Sequence, residues 1–204
     1  MITLHALQYS RALRVLWLLA DLGQPCNRVD YDRTADFHAP DSLSRVHPLG
    51  KSPVIEDGGE VIAESATILR YLAAKFDDTT HSPPPGSAAY WRQEALLDYV
   101  ESSFAEVAAG GIMPAFRGDP VPQDASDAID RHLAYLAQAL GDGPLLFGDR
   151  AMLADIQFSY IIAMLDRVGL LKNHPRIAAY WDVLQQQPGY IAAVDAAGPM
   201  APPA

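Results

Sequence analysis

The stretch GKSPVIEDGGEVIAES, residues 50–65, limits the folds open to this chain more than any other segment. Proline has no backbone N–H, so Pro53 is tolerated in a strand at its first residue or at a sheet edge. Two short apolar runs, VIED and EVIA, flank Gly58-Gly59, and glycines supply the positive φ angles that a tight hairpin turn requires. The stretch therefore predicts a strand opening at Pro53, a hairpin, and a second strand that ends before Glu64-Ser65.

The segments around this hairpin complete a small α/β unit. Ser10 and Gly23 stand where an N-cap and a stop signal would bound an apolar helix. The patterns predict strands at 1–7 and 27–33 and helices at 10–23 and 65–76. The resulting order is β-α-β, a connection, then β-β-α.

A change of composition separates this unit from the rest of the chain. Residues 77–87, DDTTHSPPPGS, are rich in Pro, Ser and Thr and break every hydrophobic period. After them apolar residues recur only at helical intervals. We therefore predict an α/β domain at 1–77, a linker at 78–87 and an all-helical bundle domain at 88–204.

Charge and composition exclude several classes of function. The formal net charge is −10 and the sequence pI about 4.8, so the protein repels nucleic acid and anionic membrane surfaces. The single cysteine, Cys26, permits no internal disulfide, and together with the absence of a membrane-spanning run it predicts a cytoplasmic protein. The six histidines show no i, i+4 pair and no cysteine companion, so no metal site is expected.

Four motifs in order give the chain a family resemblance. They are SRALRVLWLLADLG at 10–23, HPLGKSPVIED at 47–57, ESATILRYL at 64–72 and LADI at 153–156. With these motifs the chain resembles cytosolic glutathione S-transferases over nearly its whole length, and the SRA and HPLGKSP wording is closest to a fungal and bacterial subgroup. The resemblance implies a thioredoxin-like N-terminal domain and a helical C-terminal domain.

The resemblance also implies a glutathione site on the first domain. The Ser52-Pro53 bond would be cis, and the backbone of Ser52 would pair with glutathione as an added antiparallel rung. Ser65 and the start of its helix would bind the γ-glutamyl carboxylate, with Glu64 facing the ammonium group. The alternative for Glu64 and Ser65 is an ordinary helix cap. Lys51 would meet the glycyl carboxylate or remain a solvated lysine.

The chemistry needs a group that stabilises a thiolate, because the thiol itself is a poor nucleophile. Ser10, at the family position in the SRA motif, is the first candidate to donate a hydrogen bond to the sulfur. Tyr9 is the second, and could instead pack in the core or line the pocket. The alternative for Ser10 is that it serves only as the N-cap of its helix. Cys26 lies far along the chain from the helix start and is expected to be a small buried residue.

The helical domain should hold the second substrate, a small hydrophobic electrophile. A break at Gly110-Gly111 and four apolar side chains near it would wall a cleft, although the four could simply be core residues. They are Tyr99, Phe104, Met113 and Phe116.

Two functions follow from these expectations. In the first, the protein conjugates glutathione to electrophiles, and the same thiolate would reduce organic hydroperoxides. In the second, it is a non-catalytic glutathione-binding or interaction module on the same scaffold. The resemblance further implies a homodimer, with exposed apolar residues on the helix after Ser87 as candidates for the contact.

Overall fold

The computed structural model describes residues 1–203, which form two compact units. The first unit comprises residues 1–78 and 187–202, and the second comprises residues 79–186 with Pro203. Each unit has its own core of buried apolar side chains. None of the helices within the described residues is long and apolar enough to cross a membrane.

A four-stranded mixed sheet organises the first unit. Its strands are β1 (Thr3–Leu7), β2 (Asn27–Tyr31), β3 (Val54–Asp57) and β4 (Glu60–Ala63). They lie in the order β2-β1-β3-β4; β1 and β2 are parallel, and the other two pairs are antiparallel. This is the predicted thioredoxin-like arrangement, and the fold class is confirmed.

The hairpin forms as the sequence predicts. Asp57 pairs with Glu60, which leaves Gly58 and Gly59 as a two-residue turn with φ angles of +61° and +94°. Both angles are positive, as a tight turn of this twist requires. The preceding Ser52-Pro53 bond is cis.

Three helices follow the strands of this unit: α1 (Ala12–Asp21), α2 (Asp41–Ser44) and α3 (Ser65–Lys75). The helix α1 is buried on nearly every side, with Val15, Trp17 and Leu18 fully enclosed, and it packs against α3. The short helix α2 was not predicted, because four residues are too few to show a hydrophobic period.

All the named elements of the second unit are helices. They are α4 (Ala88–Tyr99), a π-helical stretch (Val100–Phe104), α5 (Ala105–Phe116), α6 (Gln123–Leu140), α7 (Leu153–Arg167) and α8 (Pro175–Gln185). The Ser87 hydroxyl accepts the Tyr90 N–H at 3.1 Å and caps the start of α4. The predicted helical bundle is therefore present.

The predicted break at Gly110-Gly111 is wrong, because α5 runs through both residues. A Cβ atom at Gly111 would lie 2.5 Å from Cδ1 of Ile129 on α6, whereas one at Gly110 would meet only Ala125 at 3.7 Å. Gly111 therefore permits close approach of two helices and does not interrupt one.

A last helix, α9 (Pro188–Ala197), belongs to the first unit. It packs against α1, where the rings of Trp17 and Tyr190 meet edge to face at 5.4 Å. The sequence patterns did not predict α9, and the predicted C-terminal domain at 88–204 differs from the structure here. The helices α1 and α9 lie far apart along the chain, and the contacts between them assign α9 to the first unit.

Candidate active site

Ser10 lies in the last residues before α1, and its side chain is nearly enclosed. The residue is 8% exposed, and its Oγ accepts the Ala12 N–H at 3.1 Å. The same hydroxyl donates towards Ser52 Oγ at 3.5 Å. Ser10 thus accepts one local turn contact and directs its single proton at Ser52 over a long bond, which a stronger acceptor at the site could replace.

Tyr9 has a backbone conformation that is uncommon for a residue with a side chain. Its φ angle is +52°, and its ring stacks on Phe37 with 6.2 Å between centroids. Arg33 donates to the carbonyls of Gln8, Tyr9 and Phe37 at 2.8 to 3.1 Å. These bonds tie the loop that leads into Ser10 to the segment before α2, and the Tyr9 ring stacks on that segment at Phe37.

Ser52 connects the loop before β3 to the edge of β1. Its hydroxyl donates to the His5 carbonyl at 2.9 Å and accepts the Leu7 N–H at 3.0 Å. Ser52 directly precedes Pro53, which is buried, and follows Lys51, which is exposed. The Ser10 and Ser52 hydroxyls are therefore neighbours, although 42 residues separate them.

The turn into α3 carries Glu64 and Ser65. Glu64 is exposed and has a φ angle of +67°, a strained conformation of the kind that clusters at functional sites. Ser65 is the first residue of α3 and is 3% exposed. The free N–H groups and the positive end of this helix favour an anion.

Arg14, which none of the sequence motifs marked as a site residue, contacts this turn from α1. Its side chain is fully buried, and Nη1 donates to Ser65 Oγ at 2.9 Å. The signal available in the sequence was a lone arginine inside the apolar run from Leu13 to Leu19. A cation there must face a polar feature, because burying it among apolar side chains alone is costly.

The structure therefore brings most of the predicted residues around the N-terminal turn of α1. Ser10 precedes the helix and reaches Ser52, while Arg14 on the helix reaches Ser65. Lys51 and Glu64 are exposed and adjacent in sequence to Ser52 and Ser65. Three serine hydroxyls and a helix N-terminus thus lie on one part of the first unit.

Cys26 is half-buried, between α1 and β2. Burial raises the pKa of its thiol, against a smaller opposing effect of Arg28. A thiol with a raised pKa remains protonated near neutral pH, so Cys26 lacks the activation of a reactive thiolate.

The four candidate side chains of the helical unit do not form one wall. Phe104 is fully buried and Met113 is 54% exposed, so they do not share an environment. Phe116 borders a surface recess of about 470 Å³ and lies under the guanidinium of Arg167 at 5.6 Å. Phe104 is a core residue, which agrees with the alternative prediction that these side chains belong to the core.

Tyr99 belongs to an aromatic cluster within the same unit. Its hydroxyl bonds Nδ1 of His132, and the His132 ring stacks on Phe104 at 5.4 Å. Burial, with a contribution from Tyr135, raises the pKa of Tyr99 to about 12. Burial, with a contribution from Arg131, lowers the pKa of His132. Both groups are therefore held neutral near pH 7.

Comparison with known proteins agrees with this architecture. The family model described as the glutathione S-transferase N-terminal domain matches residues 1–74, and the one described as the C-terminal domain matches residues 89–182. Glutathione S-transferase 3 of Zea mays is 28% identical over 204 residues, covering 94% of this chain and 91% of that protein. Glutathione S-transferase 3 of Schizosaccharomyces pombe is 36% identical over 103 residues, covering 50% of this chain and 42% of that protein.

Solved structures give the same result. A glutathione S-transferase from Actinobacillus pleuropneumoniae is 25% identical with a TM-score of 0.83, covering 97% of this chain and 93% of that one. A sphingomonad glutathione S-transferase complexed with glutathione is 26% identical with a TM-score of 0.76, covering 96% and 98%. The two family models together span most of the sequence, and the strand order and helical unit fit both. The chain belongs to the glutathione S-transferase family.

Proposed function

We propose that this protein binds glutathione on its first unit and conjugates it, through the ionised thiol, to small hydrophobic electrophiles. The observation that carries the proposal is the position of the Ser10 hydroxyl, which is nearly enclosed and lies 3.5 Å from Ser52 Oγ. In the proposed complex, glutathione lies along Ser52, and its sulfur is within reach of Ser10.

Binding would use the tripeptide as a strand. The backbone N–H and C=O of Ser52 would pair with the cysteinyl residue of glutathione as a short antiparallel rung. The γ-glutamyl carboxylate would bind at Ser65 and the start of α3, with the exposed carboxylate of Glu64 facing the ammonium group. Lys51, which is exposed, would meet the glycyl carboxylate.

The chemical step needs a thiolate at neutral pH. Lowering the thiol pKa from about 8.5 by about two units requires roughly 2.7 kcal/mol of differential stabilisation. A hydrogen bond to a charged acceptor contributes about 1.5–3 kcal/mol, and a helix N-terminus about 0.3–1 kcal/mol. One Ser10 hydroxyl at the start of α1 is therefore sufficient.

The thiolate would then attack the electrophilic carbon of a substrate such as chlorodinitrobenzene. A carbon–sulfur bond forms, and chloride leaves with the electron pair of the broken bond. With an organic hydroperoxide, the same thiolate would attack the terminal oxygen and break the O–O bond, and the departing alkoxide would take a proton from solvent to become an alcohol. The glutathione sulfenic acid so formed would condense with a second glutathione thiol to give the disulfide and water.

Substitution of Ser10 tests the proposal. We expect Ser10→Ala to raise the pKa of the bound thiol, measured as a titration of thiolate absorbance at saturating glutathione, and to lower kcat for chlorodinitrobenzene at least tenfold. Tyr9→Phe is the matched control, since it removes the other candidate hydroxyl from the same loop. A thiolate titration unchanged in Ser10→Ala but shifted in Tyr9→Phe would transfer the role to Tyr9.

Two further measurements separate catalysis from binding alone. Calorimetry should detect uptake of glutathione by the wild-type protein, and an electrophile and hydroperoxide panel should detect turnover. Uptake with no turnover would leave only a glutathione-binding module. No uptake at millimolar glutathione would overturn the proposal as a whole.

A further inference from the structure

The strand β2 lies at one end of the sheet, and its outer edge is exposed. The strand order is β2-β1-β3-β4, so β2 pairs with β1 alone. Residues 27–30 are all exposed, Val29 by 40%, and Tyr31 is half-buried. An exposed edge strand of this kind can pair with a strand of another chain.

The pairing of β2 with β1 determines which backbone groups face outwards. The Asn27 N–H donates to the Ile2 carbonyl at 2.9 Å. Backbone groups point to alternate sides along a strand, so the odd-numbered residues of β2 bond β1. Arg28 and Asp30 therefore direct their N–H and C=O groups to the outer edge. Within residues 1–203 these four groups have no partner.

The side chains of Arg28 and Asp30 also retain unused bonding groups. Arg28 Nε pairs with Asp30 Oδ1 at 2.7 Å, and Arg28 Nη1 donates to the Ala196 carbonyl at 2.7 Å. In the described part of the chain these contacts leave Arg28 Nη2 and Asp30 Oδ2 without a partner. The edge thus presents a cationic donor and an anionic acceptor two residues apart.

Charge selects one register for pairing β2 with the β2 of a second chain. In an antiparallel pair the outward-facing residues lie opposite each other. A register that places Arg28 opposite Arg28, or Asp30 opposite Asp30, is destabilised by like charges. The register centred on Val29 places Arg28 opposite Asp30 on both sides, as a two-fold contact requires. Charges on an edge usually prevent pairing, but this spacing makes them complementary to a second copy.

We infer that β2 pairs antiparallel with the β2 of a second copy of this chain, with Val29 opposite the partner's Val29. Four backbone hydrogen bonds would join Arg28 and Asp30 to the partner's Asp30 and Arg28. The two four-stranded sheets would then form one continuous sheet. Arg28 Nη2 and Asp30 Oδ2 would pair across the contact, so that the two chains share a network of four alternating charges.

A contact of three residues on each chain is small. Stable complexes bury about 800 Å² on each partner, so this pairing is expected only at high protein concentration. Size-exclusion chromatography dilutes the protein and would not retain the contact. The pairing is therefore additional to any contact on α4, and it needs a method that traps a transient pair.

Disulfide trapping tests the register. Val29→Cys, Arg28→Cys and Asp30→Cys are each made in a Cys26→Ser background and oxidised with diamide at the same high protein concentration. Opposed residues that do not exchange backbone hydrogen bonds have Cα atoms about 4.5 Å apart, within the range that a disulfide spans. We expect Val29→Cys to form a linked dimer about tenfold faster than the other two variants, measured on non-reducing gels.

Charge reversal provides matched variants in the Val29→Cys protein. Arg28→Asp alone, or Asp30→Arg alone, places like charges opposite each other and should slow linking about fivefold. The two reversals together restore opposite charges in the same register, so linking should recover. Unchanged linking in the single reversals, or no recovery in a double reversal whose circular dichroism shows a folded protein, would overturn the inference.

The three cysteine variants decide the question where a reversal variant does not fold. Equal linking rates in all three would indicate random collision and overturn the inference. Fastest linking in Arg28→Cys or Asp30→Cys would indicate another register and would also overturn it. None of these measurements needs glutathione, so their outcome is independent of the proposed function.

Discussion

The carboxylate of Asp155 is fully buried at the start of α7, and three groups donate to it. Its Oδ1 accepts the Leu146 N–H at 3.1 Å and the Tyr180 hydroxyl at 3.0 Å, and its Oδ2 accepts the Met152 N–H at 2.9 Å. Burial nevertheless outweighs these donors and raises the pKa of Asp155 from 3.8 to about 6. One side chain therefore links the helix start to the loop before it and makes the stability of the second unit dependent on pH.

This raised pKa predicts a pH dependence of known sign. The folded protein binds the Asp155 proton more tightly than the unfolded chain, so that stabilisation is complete below about pH 4. It is lost as the pH rises through about 6, and the loss amounts to about 3 kcal/mol. We expect the difference in free energy of unfolding between wild type and Asp155→Asn, measured in urea, to fall across this range. A difference independent of pH would show that the carboxylate is ionised throughout.

At the scale of the element, glycine determines how closely helices approach each other. A Cβ atom at Gly189, near the start of α9, would lie 2.3 Å from Asp21 Oδ1 and 2.5 Å from Trp17 Cδ1. Trp17 Nε1 donates to Asp21 Oδ2 at 2.8 Å, so the side chains that a methyl group would displace are bonded to each other. The packing of α9 on α1 therefore depends on the absence of a side chain at one position.

A pair of glycine substitutions tests this dependence. Gly189→Ala should lower the free energy of unfolding by about 1–3 kcal/mol, because overpacking forces α9 or Trp17 to move. Gly110→Ala, in the interior of α5, is the matched control. It adds a methyl group at an ordinary contact distance of 3.7 Å and should be neutral or stabilising by up to about 1 kcal/mol. Equal effects in urea denaturation would contradict the packing argument.

At the scale of the whole molecule, one exposed aromatic residue on α4 bears on how two chains would assemble. Trp91 on α4 is 63% exposed, and its ring meets that of Tyr90 edge to face at 5.1 Å. Tryptophan is enriched among the residues that contribute most of the binding energy at protein interfaces. The helix α4, which follows Ser87, therefore stays the predicted contact surface of a homodimer.

Light scattering with size-exclusion chromatography tests the dimer. We expect the wild type to have the mass of two chains and Trp91→Glu to have the mass of one, because the buried charge would have no partner at the interface. Ile191→Glu, at a 48% exposed position on α9, should leave the mass unchanged. A monomeric wild type would contradict the dimer, and a dimeric Trp91→Glu would place the contact elsewhere.

The features that could be predicted from the sequence are those set by residues close together in the chain. The hairpin follows from Pro53 and the turn at Gly58-Gly59, and the helices of the second unit follow from apolar spacing. The residues proposed to bind glutathione were named through the family motifs, and the structure brings Ser10 and Ser52 together. Where a local signal was misread, as at Gly110-Gly111, the reason was a contact with another helix.

The sequence by itself determined the strands, the hairpin, the division into an α/β part and a helical part, and the motifs of the family. These features depend on backbone preferences and hydrophobic periods over a few residues. Only the tertiary structure decided that α9 packs on α1 and that Arg14 bonds Ser65. Both contacts join residues far apart in the chain, and their energies depend on distances and burial that no local pattern records.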